Sequence, residues 1–526
     1  MPVLFFAARP YNINMKKTVY ANASIVTALS VATRGLGFLY RIVLSRFIGA
    51  EGLGLYQVAF SLFGLFATIG AGGIPITVSR MITKAKAEND PSAEKQTVSA
   101  GLTLCLLLSL PFVLIFGIIG NKFTFLFTDN RTFKVFQILI LGLVFASVYA
   151  VLRGSFWGNK EFLAPSILET AEEALMVIIG VMLLQNVSSP FDGAQKAAWA
   201  VTLSCLIACA AALLCFFCKG GALASPKKSL KPLFNATLPI TSVRAGGSLV
   251  TSAIAVLLPA MLIKSGLDET QALKLFGILS GMVIPVLFMP STLIGSLALV
   301  LVPELAEDYY RNNRARLRKN ILRGLKFSVV VACTLIPILF SVGGDVGKIA
   351  FSNATAGRII EKSCILLLPM SVTMISTSIL NSLGFEKQTF LYYFLGAAAL
   401  LLSVLILPRF FGAYAYCVGL GLSFSVNAVC NLVLLWKKGL LFEKGRGQVW
   451  IQQFLPTLFL TIPISCLGRY FANASKRFFG EPFAALATAL FLLLIALIFH
   501  LTRKLFQKRK RFARPKSRSA SLPKFP

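Results

Sequence analysis

The chain reads as an all-α polytopic membrane protein, and three observations carry that reading. Of 526 residues, 56% are hydrophobic and 14% charged, with a mean hydropathy of +0.77; soluble domains run near about 25% charged. Apolar runs of roughly twenty residues, long enough to cross hydrocarbon as helices, recur along the whole chain. The 52 Lys and Arg, against 20 Asp and Glu, collect in short gaps between those runs, as cytoplasmic loops do. In a soluble chain a net charge of +32 would point to nucleic acid. Here the distribution argues for a membrane surface and against that partner.

Length and flanks divide the chain into about fourteen spans. The first, 19–46, is apolar but carries Arg34, Arg41 and Arg46; the second, 55–80, closes on "GIPITVSR" around Pro75. Spans 97–120 and 132–157 follow the charged gap "KAKAENDPSAEKQ", and "GNKEF" separates the fourth from 163–187. Span 195–218 ends at the basic linker "KGGALASPKKSLK", after which come 233–263 and 272–303. Beyond "RNNRARLRKN" lie 321–343, 358–383, 389–408 and 414–436; beyond "KKGLLFEKGRG" lie 449–471 and 483–502. The opposite gaps, such as "IGAEGLG" and "NVSSPFDGAQK", are poorer in positive charge. An even number of spans with this alternation predicts both termini in the cytoplasm. "MKK" at Met15 looks like a natural start, and no signal-peptide cleavage pattern precedes the first span.

An internal repeat orders these spans. Pro75 and Pro303 close spans two and eight at an offset of 228, and Gly158 and Gly384 open the gaps after spans four and ten at an offset of 226. The first span of each half shares Arg-x-x-Gly, Arg34 to Gly37 and Arg244 to Gly247, at the shorter offset of 210. The predicted organisation is an N-terminal segment 1–18, a six-helix lobe 19–218, a linker 219–232, a second six-helix lobe 233–436, two further helices in 449–502 and a basic tail 503–526. Repeats of this kind belong to transporters that alternate access around a central cavity. The tail has ten basic residues and no acid, which suits anionic lipid.

"TRGLGFLYRIVLSRFIGAEGLGLYQ", the Gly-Ile-Pro that closes span two and "GNKEF" resemble the stage V sporulation protein B group of polysaccharide-biosynthesis transporters. That group sits in the multidrug/oligosaccharidyl-lipid/polysaccharide exporter superfamily, and the likeness extends over nearly the whole chain. The resemblance implies a MATE-like fold and a flippase for undecaprenyl-pyrophosphate-linked sugars, lipid II among them, in the bacterial plasma membrane. It further implies a cationic cavity. Arg34 and Arg46 align with arginines of related lipid II flippases; Tyr40 stands where those carry a further cation, and Arg41 where they carry an acid. It also implies a groove for the polyprenyl tail beside the last two helices. No cofactor is called for, and the protein is expected to act as a monomer.

The charges inside the spans are the candidate site. An arginine at mid-membrane costs at least about 2.5–3.5 kcal/mol, so it needs a cavity, a partner or a route to the interface. Arg34 lies roughly 22 Å along the helix from Val19 and cannot easily reach water. Arg34 and Arg41, seven residues apart, share a helix face. Arg46 suits an interfacial anchor. Guanidinium groups match pyrophosphate oxygens bidentately, which makes Arg34, Arg41 and Arg244 substrate-binding candidates; an ion pair with a buried glutamate is the structural alternative. Glu169, Glu172 and Glu173 lie on one arc of the fifth span. They are candidates for proton exchange, or for neutralising Arg34, Arg153 or Arg244.

Other classes fit less well. A multidrug exporter of the same fold takes cationic drugs, which several arginines would repel. A glycan polymerase or ligase would need a large external loop or an acidic interfacial motif, and neither is present. A non-transporting scaffold remains as a third alternative. "CFFC", Cys215 to Cys218, has no second ligand pair, and the single histidine is His500, so a zinc site is not expected.

Overall fold

The computed structural model describes residues 13–118, 127–441 and 447–512. Residues 1–12 of the expected N-terminal segment and 513–526 of the expected tail lie outside them, so the expected tail contact with anionic lipid does too. The chain folds as α1 (Ile13–Phe47), α2 (Gly49–Ala71), α3 (Ile74–Ala87), α4 (Pro91–Ile118), α5 (Asn130–Gly158), α6 (Leu163–Leu184) and α7 (Pro190–Cys218). Then come α8 (Lys227–Lys264), α9 (Glu269–Gly277), a π-helical turn (Ile278–Val283), α10 (Ile284–Phe288), α11 (Ser291–Tyr310), α12 (Arg314–Phe351) and α13 (Ala354–Ser363). The chain continues through α14 (Leu367–Ser382), α15 (Glu386–Ile406), α16 (Pro408–Phe411), α17 (Tyr414–Lys437), α18 (Gly447–Ser475) and α19 (Glu481–Phe512).

Among the described residues, twelve helices are long and apolar enough to cross a membrane. With α6, whose run is interrupted by three glutamates, and α18, they coincide with the expected spans. Two spans are broken where the sequence breaks them. Span 55–80 splits into α2 and α3 at Gly72 and Gly73, with Pro75 in the first turn of α3. Span 272–303 passes through the π-helical turn and splits again at Met289 and Pro290. A proline lacks the N–H that would continue the ladder.

The chain packs as two compact units, one of 1–286 with 395–423, the other of 287–394 with 424–526. Helix α8, expected to open the second lobe, packs on α2, α3 and α4 in the first unit. A ladder of polar contacts explains why. Gly73 N–H donates to Thr241 Oγ1 (3.1 Å), Thr68 and Ser248 hydroxyls meet at 2.8 Å, and Ser252 Oγ donates to the Ser61 carbonyl (2.7 Å). Residue numbers fall on α2 as they rise on α8, so the two helices run antiparallel.

Close backbone approach holds the rest of the first unit. A Cβ on Gly54 would lie 2.2 Å from the Leu273 carbonyl oxygen, and one on Gly277 would lie 2.2 Å from that of Ala50, so α2 and α9 touch backbone to backbone. Small residues serve this purpose where hydrocarbon offers helices no hydrophobic drive to associate. Buried Ile74, Val78, Leu104 and Phe156 fill the centre between α3, α4 and α5. In the second unit the corresponding layer is Leu305, Leu317, Ile321, Ile379 and Leu435.

The internal repeat recurs in the turns at helix ends. After α3, Asn89 N bonds to Lys86 O and Asp90 N to Ala85 O; after α11, Asn312 N bonds to Tyr309 O and Asn313 N to Asp308 O. Asn89 and Asn312 are both left-handed, with φ of 53° and 56°. The turns after α5 and α14 match through Lys160 N to Trp157 O and Gly384 N to Asn381 O, and those after α7 and α17 through Gly220 N to Phe217 O and Gly439 N to Trp436 O. The hydrogen-bond register thus sets Lys160, rather than Gly158, opposite Gly384.

Replacing Gly54 with Ala should destabilise the protein by about 1–3 kcal/mol, read as a lower thermal unfolding midpoint of the purified chain. An unchanged midpoint would show that the α2–α9 contact has room to spare.

Candidate functional site

The sequence-predicted charges all fall within the first unit, on α1, α5, α6 and α8. Helix α1 lies along α6 through a line of small and polar contacts. Thr33 and Thr170 hydroxyls meet at 2.9 Å, and a Cβ on Gly37 would lie 3.6 Å from Glu173 Oε2. Gly180 admits the ring of Tyr40, whose hydroxyl donates to the Ala197 carbonyl at 3.2 Å. Residue numbers rise together on both helices, so α1 and α6 run parallel.

This seam separates the two arginines of α1. Arg41 is half-buried and lies within electrostatic reach of Glu173 and Tyr56. Arg34 is exposed and, among the described residues, has no acidic partner. Arg46, also exposed, ends α1. The three glutamates differ as sharply. Glu169 takes an ion pair from Arg153 Nη1, one of the pairings expected for it. Glu172 accepts from Cys205 Sγ at 3.4 Å. Glu173 Oε2 is buried with no hydrogen-bond partner among the described residues.

Arg153 and Arg244 come together in a cavity of about 230 Å³ lined also by Thr68, Gly72, Pro75 and Ser147. The cavity exists because the α2–α3 break leaves the end of α2 uncapped by helix. Arg244 Nη1 donates to the freed Gly72 carbonyl at 2.8 Å, satisfying a group that the end of a helix leaves without an intrahelical partner. Arg153 is held over the rings of Tyr149 (5.8 Å) and Trp157 (5.2 Å) as well as beside Glu169. Its Nε and the Ser147 hydroxyl are buried without hydrogen-bond partners among the described residues. Two guanidinium groups and a free hydroxyl thus line one hollow, an arrangement that accepts an anion with several oxygens. Sequence reading placed Arg153 only as an ion-pair candidate. The signal that could have promoted it was the Gly-Gly break, which needs a donor nearby. Arg34 does not line this cavity.

Residues 19–307 match the family described as "Polysaccharide biosynthesis protein", and the chain belongs to it. Stage V sporulation protein B of Bacillus subtilis (strain 168) is 26% identical over 360 residues, covering 66% of this chain and 69% of that protein. A solved structure of the lipid II flippase MurJ, in an inward closed conformation, superposes with a TM-score of 0.69 at 16% identity over 91% of this chain and 99% of the other. An inward-facing multidrug-resistance MATE transporter of the MOP superfamily superposes with a TM-score of 0.66 at 13% identity, over 79% of this chain and 98% of the other. Fold and family together define a class, the multi-span membrane proteins of the polysaccharide-biosynthesis family, built on the fold that the MurJ and MATE structures share. The MATE-like all-helical architecture expected from the sequence is the one present.

Glu169→Gln and Arg153→Gln should each lower stability by about 1 kcal/mol, since the pair is half-exposed, and the double variant should lose less than the sum. Thermal unfolding of the purified variants measures this coupling. Strict additivity would mean the two charges stand near each other without interacting.

Proposed function

We propose that the chain is a flippase that moves undecaprenyl-pyrophosphate-linked sugars across the bacterial plasma membrane by alternating access, acting as a monomer with both termini in the cytoplasm. The observation that carries this reading is the Arg153–Arg244 hollow beside the α2–α3 break. A pyrophosphate needs several donors in a fixed array, and a pair of guanidinium forks supplies them where a single lysine would not. The cavity is smaller than a disaccharide-lipid headgroup, so it holds the phosphates and leaves the sugars outside. The repeat at Arg34 and Arg244 and the names of the chain's relatives support the same cargo class. Arg34, exposed and without an acidic partner on α1, is assigned a second contact with the phosphates. Arg41, already beside Glu173, helps only when that carboxylate is protonated.

On this reading Glu172 and Glu173 are the proton-exchange pair, and Glu169 stays with Arg153 until cargo competes for it. An arginine released to the cargo leaves a carboxylate that takes up a proton, which couples the two events. No cation-coordinating cluster of three acidic, His or Cys side chains occurs among the described residues.

Arg244→Gln and Arg153→Gln should each weaken binding of an undecaprenyl-pyrophosphate lipid by about tenfold or more, measured by native mass spectrometry of the purified protein. Arg244→Lys should fail to restore it, because a point charge cannot replace a bidentate fork. If all three variants retain wild-type binding while losing only thermal stability, Arg244 is a helix cap and the cargo reading falls. Binding of lipophilic cations instead of the pyrophosphate lipid would favour a multidrug exporter. For the coupling, Glu172→Gln should abolish the dependence of lipid translocation in proteoliposomes on an imposed pH gradient. A gradient response equal to wild type would remove Glu172 from that role.

A further inference from the structure

The repeated turns of the two units carry different charges, and the difference opens a second site. In the first unit, Asp90 caps α4, accepting from Ser92 Oγ (2.6 Å) and from the Ser92 and Ala93 amides (both 3.0 Å). In the same corner Lys219, one residue before left-handed Gly220, forms an ion pair with Glu161. Hydrogen-bond register identifies the counterparts in the second unit. Asp90 corresponds to Asn313, Glu161 to Phe385, and Lys219 to Lys438, one residue before left-handed Gly439. Two acids have thus become an amide and a ring. Lys438 Nζ now sits over the Phe385 ring at 5.3 Å, and among the described residues it has no acidic partner.

A cavity of about 450 Å³ lies in that corner, lined by Asp308, Tyr310, Arg314, Leu317, Phe385 and Lys438 among others. The acid among its described lining residues is already neutralised. Asp308 is 4% exposed, accepts from Asn320 Nδ2 at 2.9 Å and pairs with Arg316 Nε at 3.3 Å. Arg314 is exposed and has no carboxylate within reach among the described residues. Arg318 is engaged beside it, donating to the Gly439 carbonyl at 2.8 Å. Two cations therefore flank the hollow, and Leu317, Leu440 and Phe385 make its floor. Tyr310 at 79% exposure and Trp436 at 61% flank the same helix ends, the aromatic and basic mixture of a membrane–water interface.

We propose that this corner of the second unit binds the phosphodiester headgroup of an anionic phospholipid, with Arg314 and Lys438 on the phosphate and the glycerol backbone over Phe385 and Leu317. A basic pocket between helix ends at the interface suits such a headgroup, and the apolar floor matches the part of a lipid that a free anion lacks. The site shares no residue with the Arg153–Arg244 hollow and stands whether or not that hollow holds cargo. At the counterpart corner of the first unit the lysine is already engaged, Lys219 with Glu161, so an anion there would have to displace a carboxylate.

The test is lipid retention. The full chain is purified in mixed micelles of phosphatidylglycerol and phosphatidylcholine, and bound lipids are counted by native mass spectrometry. Wild type should enrich phosphatidylglycerol, and Arg314→Gln and Lys438→Gln should each reduce the enrichment about fivefold. Phe385→Glu, which restores the acid of the first unit, should do the same, whereas Lys219→Gln should leave enrichment unchanged or raise it. Monodispersity of each variant in size-exclusion chromatography separates loss of binding from misfolding. Undiminished enrichment in all three variants of the second unit overturns the proposal. Glycerol phosphate displacing the lipid as effectively as added phosphatidylglycerol would assign the site to a soluble phosphate and overturn it equally.

Discussion

A carbonyl left over where a helix stops needs a donor from elsewhere, and the first unit is arranged around one such carbonyl. The Gly72–Gly73 break interrupts the second span and frees the Gly72 oxygen, which Arg244 reaches from α8. Thr241, Ser248 and Ser252 continue the same line of contacts along α2. The placement of α8 with the first helices follows, and so does the hollow that Arg244 shares with Arg153. A break that would be a defect in an isolated helix becomes the point where four helices and two cations meet.

The same need for partners sorts the other charges of these helices. Arg153 is neutralised by Glu169 and covered by two rings; Arg41 sits near Glu173 across the α1–α6 seam. Each arrangement lowers the cost of a charge away from water without burying it fully. A fully desolvated pair would be harder to open. The arginine exchange proposed above calls for pairs of this intermediate kind.

The two repeats show how one framework can diverge by a few side chains. Left-handed residues close the same turns in both units, at Asn89 and Asn312, Lys160 and Gly384, Gly220 and Gly439. The backbone of the corner is retained while its charges are exchanged. In the first unit the corner lysine pairs with a carboxylate, and in the second the corner is lined by cations and apolar side chains. Asp90 illustrates the electrostatics outside the membrane, where hydrogen bonds from Ser92 and the Ala93 amide hold its carboxyl below the usual carboxylate range.

Hydropathy and charge sufficed for the helical class, the spans and the fact that charged residues lie within them, because lipid imposes length and polarity on every segment separately. The Gly-Gly-x-Pro break was visible for the same reason: it is local. The Glu169–Arg153 pair stood among the stated alternatives, but nothing in the spacing preferred Arg153 over Arg34 or Arg244. Choosing among them required knowing which helices are neighbours. That α8 joins α2, that Arg34 and Arg41 end in different surroundings, and that Lys438 stands over a ring while Lys219 pairs with an acid are all consequences of contacts between residues far apart in the chain. A sequence records the charge of each side chain and, through periodicity, its depth. Its partner depends on packing between distant helices, and only the folded chain brings them together.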